Sequence, residues 1–278
     1  MHLALTGATG LVGHWIAAAA VAAGDRVTCL GRHPAPGSGH RPWRLSDPPP
    51  DLAGIDALVH CAFDHLPGRY RGGEGDDPEG FTARNLEGTC RLFDAAAHAG
   101  VGRIVLLSSR AVLAGHGPGR PLGEDLPVAP DTLYGEVKTA AEAHLASLPV
   151  IGTALRATGI YGPAPPGRAH KWAGLFADYR AGRPVAPRRG TELHGRDLAR
   201  AVRLCLDHGL DGPVHASDLV LDRHDLLTQV QRLTACPHPP PARSAAPVSP
   251  LDCARLAARG GRPGGWPRLR RTLPGLLA

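Results

Sequence analysis

Short apolar runs bounded by glycine, proline or polar residues recur through the first two thirds of the chain. They alternate with longer segments in which apolar residues return every three or four positions. The runs at 3–6, 26–30, 57–61, 103–108 and 150–155 predict strands, and the segments at 11–23, 78–99 and 131–148 predict helices. Strands alternating with helices in this way predict an α/β fold with a doubly wound parallel sheet covered on both faces. After residue 163 the alternation fades. The pattern there predicts helices at 170–181 and 195–208, a strand at 214–217, a helix at 223–235, a proline-rich connector at 237–250, a segment at 251–259 and a last short helix at 268–276. Residues 1–165 are expected to form the sheet domain, with 195–217 returning to it, and 166–194 and 218–278 a small C-terminal lobe that binds substrate. No internal repeat, coiled coil or low-complexity tail interrupts this scheme.

Length and composition narrow the picture further. A chain of 278 residues can bury one large core, or a core with a small lobe. The net charge of +6 is carried almost wholly by arginine, spread along the chain without a run of five basic residues, so it is no footprint for nucleic acid. Six cysteines, at 29, 61, 90, 205, 236 and 253, show no Cys-x-x-Cys pair and no ligand spacing. They predict a reduced, cytoplasmic protein without a metal. The apolar stretch at 11–23 is too short to span a bilayer and no signal peptide is expected, so the protein should be soluble, without a membrane partner.

Two features carry chemistry. Leu3-Ala4-Leu5 runs into Thr6-Gly7-Ala8-Thr9-Gly10-Leu11-Val12-Gly13, and an alanine-rich helical stretch follows. Strand, glycine turn and helix N-terminus together suit a dinucleotide pyrophosphate, because glycines let the backbone approach the phosphates and exposed N–H groups attract their charge. Gly7, Thr9, Gly10, Leu11, Val12 and Gly13 are the contacts this predicts. The second feature is Tyr134 and Lys138, four residues apart in a predicted helix of a chain with only four tyrosines. Positions i and i+4 share a face, and a fixed ammonium lowers a phenol's pKa, which would make Tyr134 a general acid/base. A surface tyrosine packed on a lysine stem is the competing reading of the spacing. The glycine- and charge-rich loop 67–77 leaves the carboxyl end of a strand, where it either covers the site or is plain surface.

These landmarks, in this order, resemble the extended short-chain dehydrogenase/reductases of the NAD-dependent epimerase/dehydratase group. The resemblance runs through Thr6-Gly7-x-x-Gly10-x-x-Gly13, Asp56-x-x-Val59-His60-x-Ala62, Asn85-x-x-Gly88-Thr89, Ser108-Ser109, Tyr134-x-x-x-Lys138, Arg156 with Tyr161-Gly162-Pro163, His194-x-x-Asp197-Leu198-Ala199 and Gly265-Trp266-Pro267. It implies a Rossmann-type sheet domain, a nicotinamide cofactor and hydride transfer, with Tyr134 moving the substrate proton and Lys138 bonding the nicotinamide ribose. It also implies cofactor contacts from Asp47, Cys61, Ala62, Phe63, Asn85, Ser108, Ala157, Thr158 and Ile160.

The resemblance breaks at three places. The family's Ser/Thr that polarises the substrate oxygen falls on Arg110, and a guanidinium cannot relay a proton. Either Ser109 supplies the hydroxyl, or Arg110 orients an acidic substrate, or the site is degraded; Ser109 is the favoured reading. Ala111 and Val112 stand where the family's dehydratases carry an acidic pair, which argues against sugar dehydration. Members acting on nucleotide sugars read Arg-x-x-Asn before Tyr-Gly-Pro, the Asn contacting the diphosphate, whereas this chain reads Arg156-Ala157-Thr158-Gly159. That shifts the expectation toward a reductase of a smaller molecule. Arg69, Arg71, Arg168 and Lys171 are candidates for binding an anionic group, or solvated surface charges. At the end of the second strand Leu30-Gly31-Arg32-His33 offers an arginine and no carboxylate, which suits the 2′-phosphate of NADP over NAD. The leading expectation is an NADP-dependent carbonyl reductase or alcohol dehydrogenase. An epimerase comes second and a non-catalytic NADP sensor third. A homodimer through the two long helices of the cofactor domain is the expected assembly.

Overall fold

The computed structural model describes residues 1–66 and 72–278. Arg69 and Arg71, and the start of the predicted loop 67–77, lie outside the described residues.

A seven-stranded sheet in the order β3-β2-β1-β4-β5-β6-β9 forms the centre, and every pairing in it is parallel. Its strands are His2–Thr6 (β1), Arg26–Gly31 (β2), Gly39–Pro42 (β3), Ala57–His60 (β4), Arg103–Ser109 (β5), Ile151–Ala157 (β6) and Gly212–Ala216 (β9). All four residues of β4 are buried, as expected where helices cover both faces of a sheet. On one face Leu3, Leu5 and Val27 pack with Ile16 and Ala20 of α1 (Gly13–Ala22) and with Leu198, Val202 and Leu206 of α6 (Gly195–His208). On the other, Ala4, Leu58 and Ile104 pack with Leu92, Phe93 and Ala96 of α3 (Gly88–His98) and with Ala141 and Leu145 of α4 (Leu133–Ala146).

The predicted helix 78–99 is three pieces. A short helix α2 (Pro78–Thr82), capped by the Asp77 side chain on Gly80 N–H, runs through a π-helical turn at Ala83–Glu87 into α3. At Gly88 the helix passes so close to the Leu45 carbonyl that a Cβ there would overlap it. The predicted start of α4 at residue 131 also moves, because Thr132 accepts from Gly135 N–H at 3.2 Å and fixes the first turn at Leu133. The edge strand β3, only four residues and ending in proline, carries no apolar run and lies outside the predicted set.

A second, three-stranded sheet forms a smaller lobe from β7 (Gly159–Tyr161), β8 (Arg189–His194) and β10 (Leu219–Asp222), and so draws in residues 159–161 from the stretch expected in the sheet domain. None of these strands is predicted from the pattern, since β7 is three residues long and β8 mixes Arg189, Glu192 and His194 with one leucine. Tyr161, Trp172, Phe176, Leu226 and Leu269 form the lobe's core, with contributions from α5 (Ala173–Arg180), α7 (Arg223–Thr234) and α9 (Gly265–Leu277). Asp197 of α6 and Asp218 accept the Gly264 and Gly265 N–H groups at 3.0 and 2.8 Å, which pins the start of α9 to α6 and to the turn before β10. The 251–259 segment yields only a short helix, α8 (Ala254–Ala258). Among the described residues no helix is long and apolar enough to cross a membrane, and no group of His, Cys, Asp or Glu could hold a metal.

Candidate active site

The carboxyl ends of the central strands, where open parallel sheets bind ligands, carry the predicted residues. After β1 the chain turns at Gly7 with φ +67°, and a Cβ there would lie 2.8 Å from the Ala62 nitrogen. A Cβ at Gly13 would overlap the Gly7 carbonyl. Gly10 N–H donates to Gly7 O at 3.0 Å and closes the turn, and Leu11 stays exposed at its lip. Helix α1 has no side-chain cap and no acidic residue in its first turn, so its positive end faces the turn without a competing anion. That is the donor set a pyrophosphate needs, and Gly7, Thr9, Gly10, Leu11, Val12 and Gly13 would hold it.

Thr6, His60, Thr89 and Asn85 form a chain of hydrogen bonds beneath this turn. Thr89 Oγ1 donates to Asn85 O at 2.6 Å, so it must accept from His60 Nε2 at 3.0 Å. His60 Nδ1 then accepts from Thr6 Oγ1 at 2.9 Å, and the Thr6 oxygen accepts the Cys61 and Ala62 N–H groups, each at 3.0 Å. Burial, with a smaller push from the Lys138 charge, lowers His60 to about 3 and keeps the ring neutral, as this donor order requires. The network holds the Cys61–Phe63 edge of the cleft against Gly7. Sequence reasoning missed its role: His60 is visible as part of a motif, while Thr6 and Thr89 look like ordinary strand and helix residues. Asn85 is fully engaged. Its Oδ1 accepts from Asp64 N–H at 2.7 Å, and its Nδ2 donates to the carbonyls of Asp64 and Phe81. It shapes the loop after β4 with its side chain.

Tyr134 and Lys138 meet around one ring. Phe63 stands edge-on to Tyr134, with centroids 5.0 Å apart, and the Lys138 ammonium lies 4.4 Å from the Phe63 centroid. Lys138 also donates to Leu107 O at 2.9 Å. Burial lowers Lys138 to about 8, against the opposing pull of Cys61 and Glu142. A buried ammonium with one backbone partner and an aromatic face is a poised cation, not a surface lysine packed under a tyrosine.

Ser109 ends β5 opposite Ala157 of β6. Its hydroxyl accepts from Ala111 N–H at 3.2 Å, which caps a short 3₁₀ turn and leaves its own proton to donate. Ser108 points to the other face and donates to Glu142, which also takes Arg156 Nη2 at 2.7 Å. Arg110 is half-buried and donates from Nε to Ser249 O at 3.2 Å. It ties the turn after β5 to the proline-rich connector, where Leu122 and Leu251 form a parallel bridge. Burial lowers its pKa, opposed by Asp131.

The remaining candidates separate. Ala157 and Thr158 are buried at the end of β6, where Thr158 Oγ1 donates to Ser217 Oγ at 3.3 Å, and Ile160 packs against the core beneath. Arg32 is exposed at the end of β2, and nothing lies closer than 4.0 Å to a Cβ built at Gly31. Asp47 accepts from Arg44 N–H at 2.8 Å and closes a turn beyond β3. Arg168 is exposed in a turn, and Lys171 is bound to Glu192 of β8.

Comparisons with known proteins agree with this architecture. The model of the NAD dependent epimerase/dehydratase family matches residues 3–216. A 3-diazoavenalumate denitrifying reductase from Streptomyces sp is 30% identical over 234 residues, 78% of this chain and 76% of that protein. A dTDP-4-dehydrorhamnose reductase from Streptomyces griseus is 30% identical over 203 residues, 70% of this chain. A UDP-glucose 4-epimerase from Mycolicibacterium smegmatis is 41% identical over 70 residues, 25% of this chain. The chain spans only 62% and 22% of these last two relatives. The crystal structure of UDP-glucose 4-epimerase from Thermus thermophilus in complex with NAD superposes with a TM-score of 0.81 at 22% identity, covering 100% of this chain and 99% of that one. The chain belongs to the NAD-dependent epimerase/dehydratase family, a group of extended short-chain dehydrogenase/reductase enzymes.

Proposed function

We propose that the protein is an NADP(H)-dependent oxidoreductase acting on the carbonyl or alcohol of a small or sugar-like substrate. The observation that carries this reading is the Phe63-centred meeting of Tyr134 with a buried Lys138 beside an uncapped glycine turn. Bound nicotinamide would supply the hydride acceptor or donor. Tyr134 gives its phenolic proton to the substrate oxygen, or takes one from the alcohol, and Lys138 favours the phenolate electrostatically while holding the ribose. Ser109, with its proton free to donate, polarises the same oxygen. Arg32 clamps the 2′-phosphate and Asp47 lies toward the adenine. An epimerase remains the second reading, favoured by the likeness to a UDP-glucose 4-epimerase. Action in the cytoplasm belongs to the same proposal, as does a homodimer through α3 and α4, which lie side by side with His144 on Asp94 at 2.7 Å.

Fluorescence titration with NADPH and NADH tests the cofactor assignment without a substrate. A facing arginine forms charge-assisted hydrogen bonds worth about 1.5–3 kcal/mol, roughly a 10- to 150-fold preference for NADPH. Arg32→Ala should erase that preference and leave NADH binding unchanged. Equal wild-type affinities would show that Arg32 faces solvent. Transfer of hydride from labelled NADPH to product separates reductase from epimerase, which returns its hydride to the same carbon.

A further inference from the structure

His14 stands in the first turn of α1, directly after the glycine turn, and its ring reaches in two directions. Nδ1 lies 3.0 Å from Gly10 O within that turn, and Nε2 lies 3.2 Å from Pro163 O, just beyond β7. Both partners are carbonyl oxygens, which only accept. A neutral imidazole has one N–H, so in either tautomer its remaining lone pair is turned against a carbonyl. The imidazolium alone satisfies both contacts. Neither carbonyl moves away easily. Gly10 N–H on Gly7 O closes the turn, and Gly162 packs so tightly on Trp15 that a Cβ there would come within 2.8 Å of the indole.

In the protein alone a proton on His14 is opposed. Burial lowers its pKa from the usual histidine value, while the carbonyls of Gly10 and Pro163 pull the other way. A cation in the first turn of a helix also faces the positive end of the macrodipole. No carboxylate among the described residues offsets this. The glycine turn and the rest of α1 carry no ionisable side chain, and Arg168, beyond Pro163, is exposed. Trp15, 4.8 Å from the His14 ring, stands between it and His194, behind which lie Arg196 and Arg268, and Asp197 is already paired with Arg268. The anion that would favour the imidazolium is the diphosphate for which the turn is built.

We infer that His14 is a proton-linked positioning residue for the cofactor: it takes up a proton from solvent as a dinucleotide diphosphate seats on the glycine turn, and as imidazolium it ties that turn to the lobe at Pro163. This rests on the dinucleotide reading of the turn. Binding should tighten as pH falls through the range between the bound and the lower free pKa of His14, and level off on either side. NADPH is titrated by fluorescence into wild type and His14→Gln between pH 6 and 8, and by calorimetry at pH 6.5 in buffers of different ionisation enthalpy. The 2′-phosphate and Lys138 also exchange protons near this range, but they do so in both proteins, so the difference isolates His14. Wild-type affinity relative to His14→Gln should rise at least about threefold from pH 8 to pH 6, with roughly 0.3–0.6 more protons taken up at pH 6.5. Matching pH profiles and matching uptake overturn the inference and leave the cofactor assignment standing, whereas NADPH binding to neither protein at any pH removes both. His14→Lys, charged throughout, separates charge from shape. It should bind NADPH at pH 8 at least as tightly as wild type and show the flatter profile of His14→Gln. Binding by His14→Lys no tighter than by His14→Gln at pH 6 and 8 would show that the charge contributes nothing, and overturns the inference as well.

Discussion

The ion pair under helix α4 gives the sharpest stability test. Glu142 and Arg156 are 9% and 5% exposed, joined by Nη2–Oε2 at 2.7 Å and by Nε at 3.1 and 3.2 Å to the two carboxylate oxygens. Ser108 donates to the same carboxylate. The pair fastens α4, which carries Tyr134 and Lys138, to the strands beneath it. Glu142→Gln keeps the shape but leaves the guanidinium buried against a neutral amide, and Arg156 Nη1 already lacks a partner among the described residues. Removing one member of a buried pair costs about 3–5 kcal/mol, and a chain of this size loses roughly 2–4 °C of Tm per kcal/mol. Glu142→Gln and Arg156→Met should therefore each lower Tm by about 6–20 °C. The double variant Glu142→Gln/Arg156→Met strands no charge and should lie within about 2 kcal/mol of wild type, since replacing both members of a buried pair by uncharged groups of similar volume is often nearly neutral. Urea unfolding of the four proteins without cofactor completes the cycle. Additive losses, with a coupling below about 0.5 kcal/mol, would refute the idea that each charge is tolerated only because of the other.

Three further outcomes are expected. Tyr134→Phe should abolish hydride transfer in a carbonyl-reduction assay and leave NADPH affinity nearly intact, whereas Lys138→Ala should damage both; a tenth or more of wild-type rate in Tyr134→Phe contradicts the proton-transfer role. Ser109→Ala should lower turnover on the order of 10²-fold, while Arg110→Ser should preserve chemistry but speed amide exchange in residues 247–253, because only the bond to Ser249 is lost; the opposite ranking assigns Arg110 to the substrate. Buried His60, held to about 3, and His194 and His215, each held to about 4, stay neutral in the folded chain and protonate near 6.5 when unfolded. The unfolded state then binds more protons below that value, so the contribution of these histidines to stability should be flat above pH 6.5 and fall as pH drops toward 4, and His60→Gln should flatten the slope measured by urea unfolding.

The sheet was legible because burial writes itself into composition. Residues such as Leu58 and Val59, covered on both faces, must be apolar, and the helices between strands must show an apolar face. The lobe was not legible for the same physical reason in reverse. Its strands are held by pairing with distant partners, Gly159 with Glu192 and Leu219 with Glu192 from the other side, and local alternation carries no trace of that. The glycine turn, Tyr134 and Lys138 were readable because their chemistry depends on short spacing within one strand-turn-helix or one helix.

Arg110 shows where such reading stops. Judged locally, a guanidinium in place of a hydroxyl suggests either a substrate anchor or a broken site. In the structure its Nε donates to the carbonyl of Ser249, a residue 139 positions away. Ser249 is itself fixed by the Gly119 N–H at 3.0 Å, and Leu122 N–H donates to Pro250 O and Asp252 N–H to Leu122 O across the same seam. A serine at 110 could not span to that carbonyl as an arginine does. The substitution therefore makes sense only together with the connector that crosses it, and Ser109, one residue earlier, has its hydroxyl turned by the bond from Ala111 N–H.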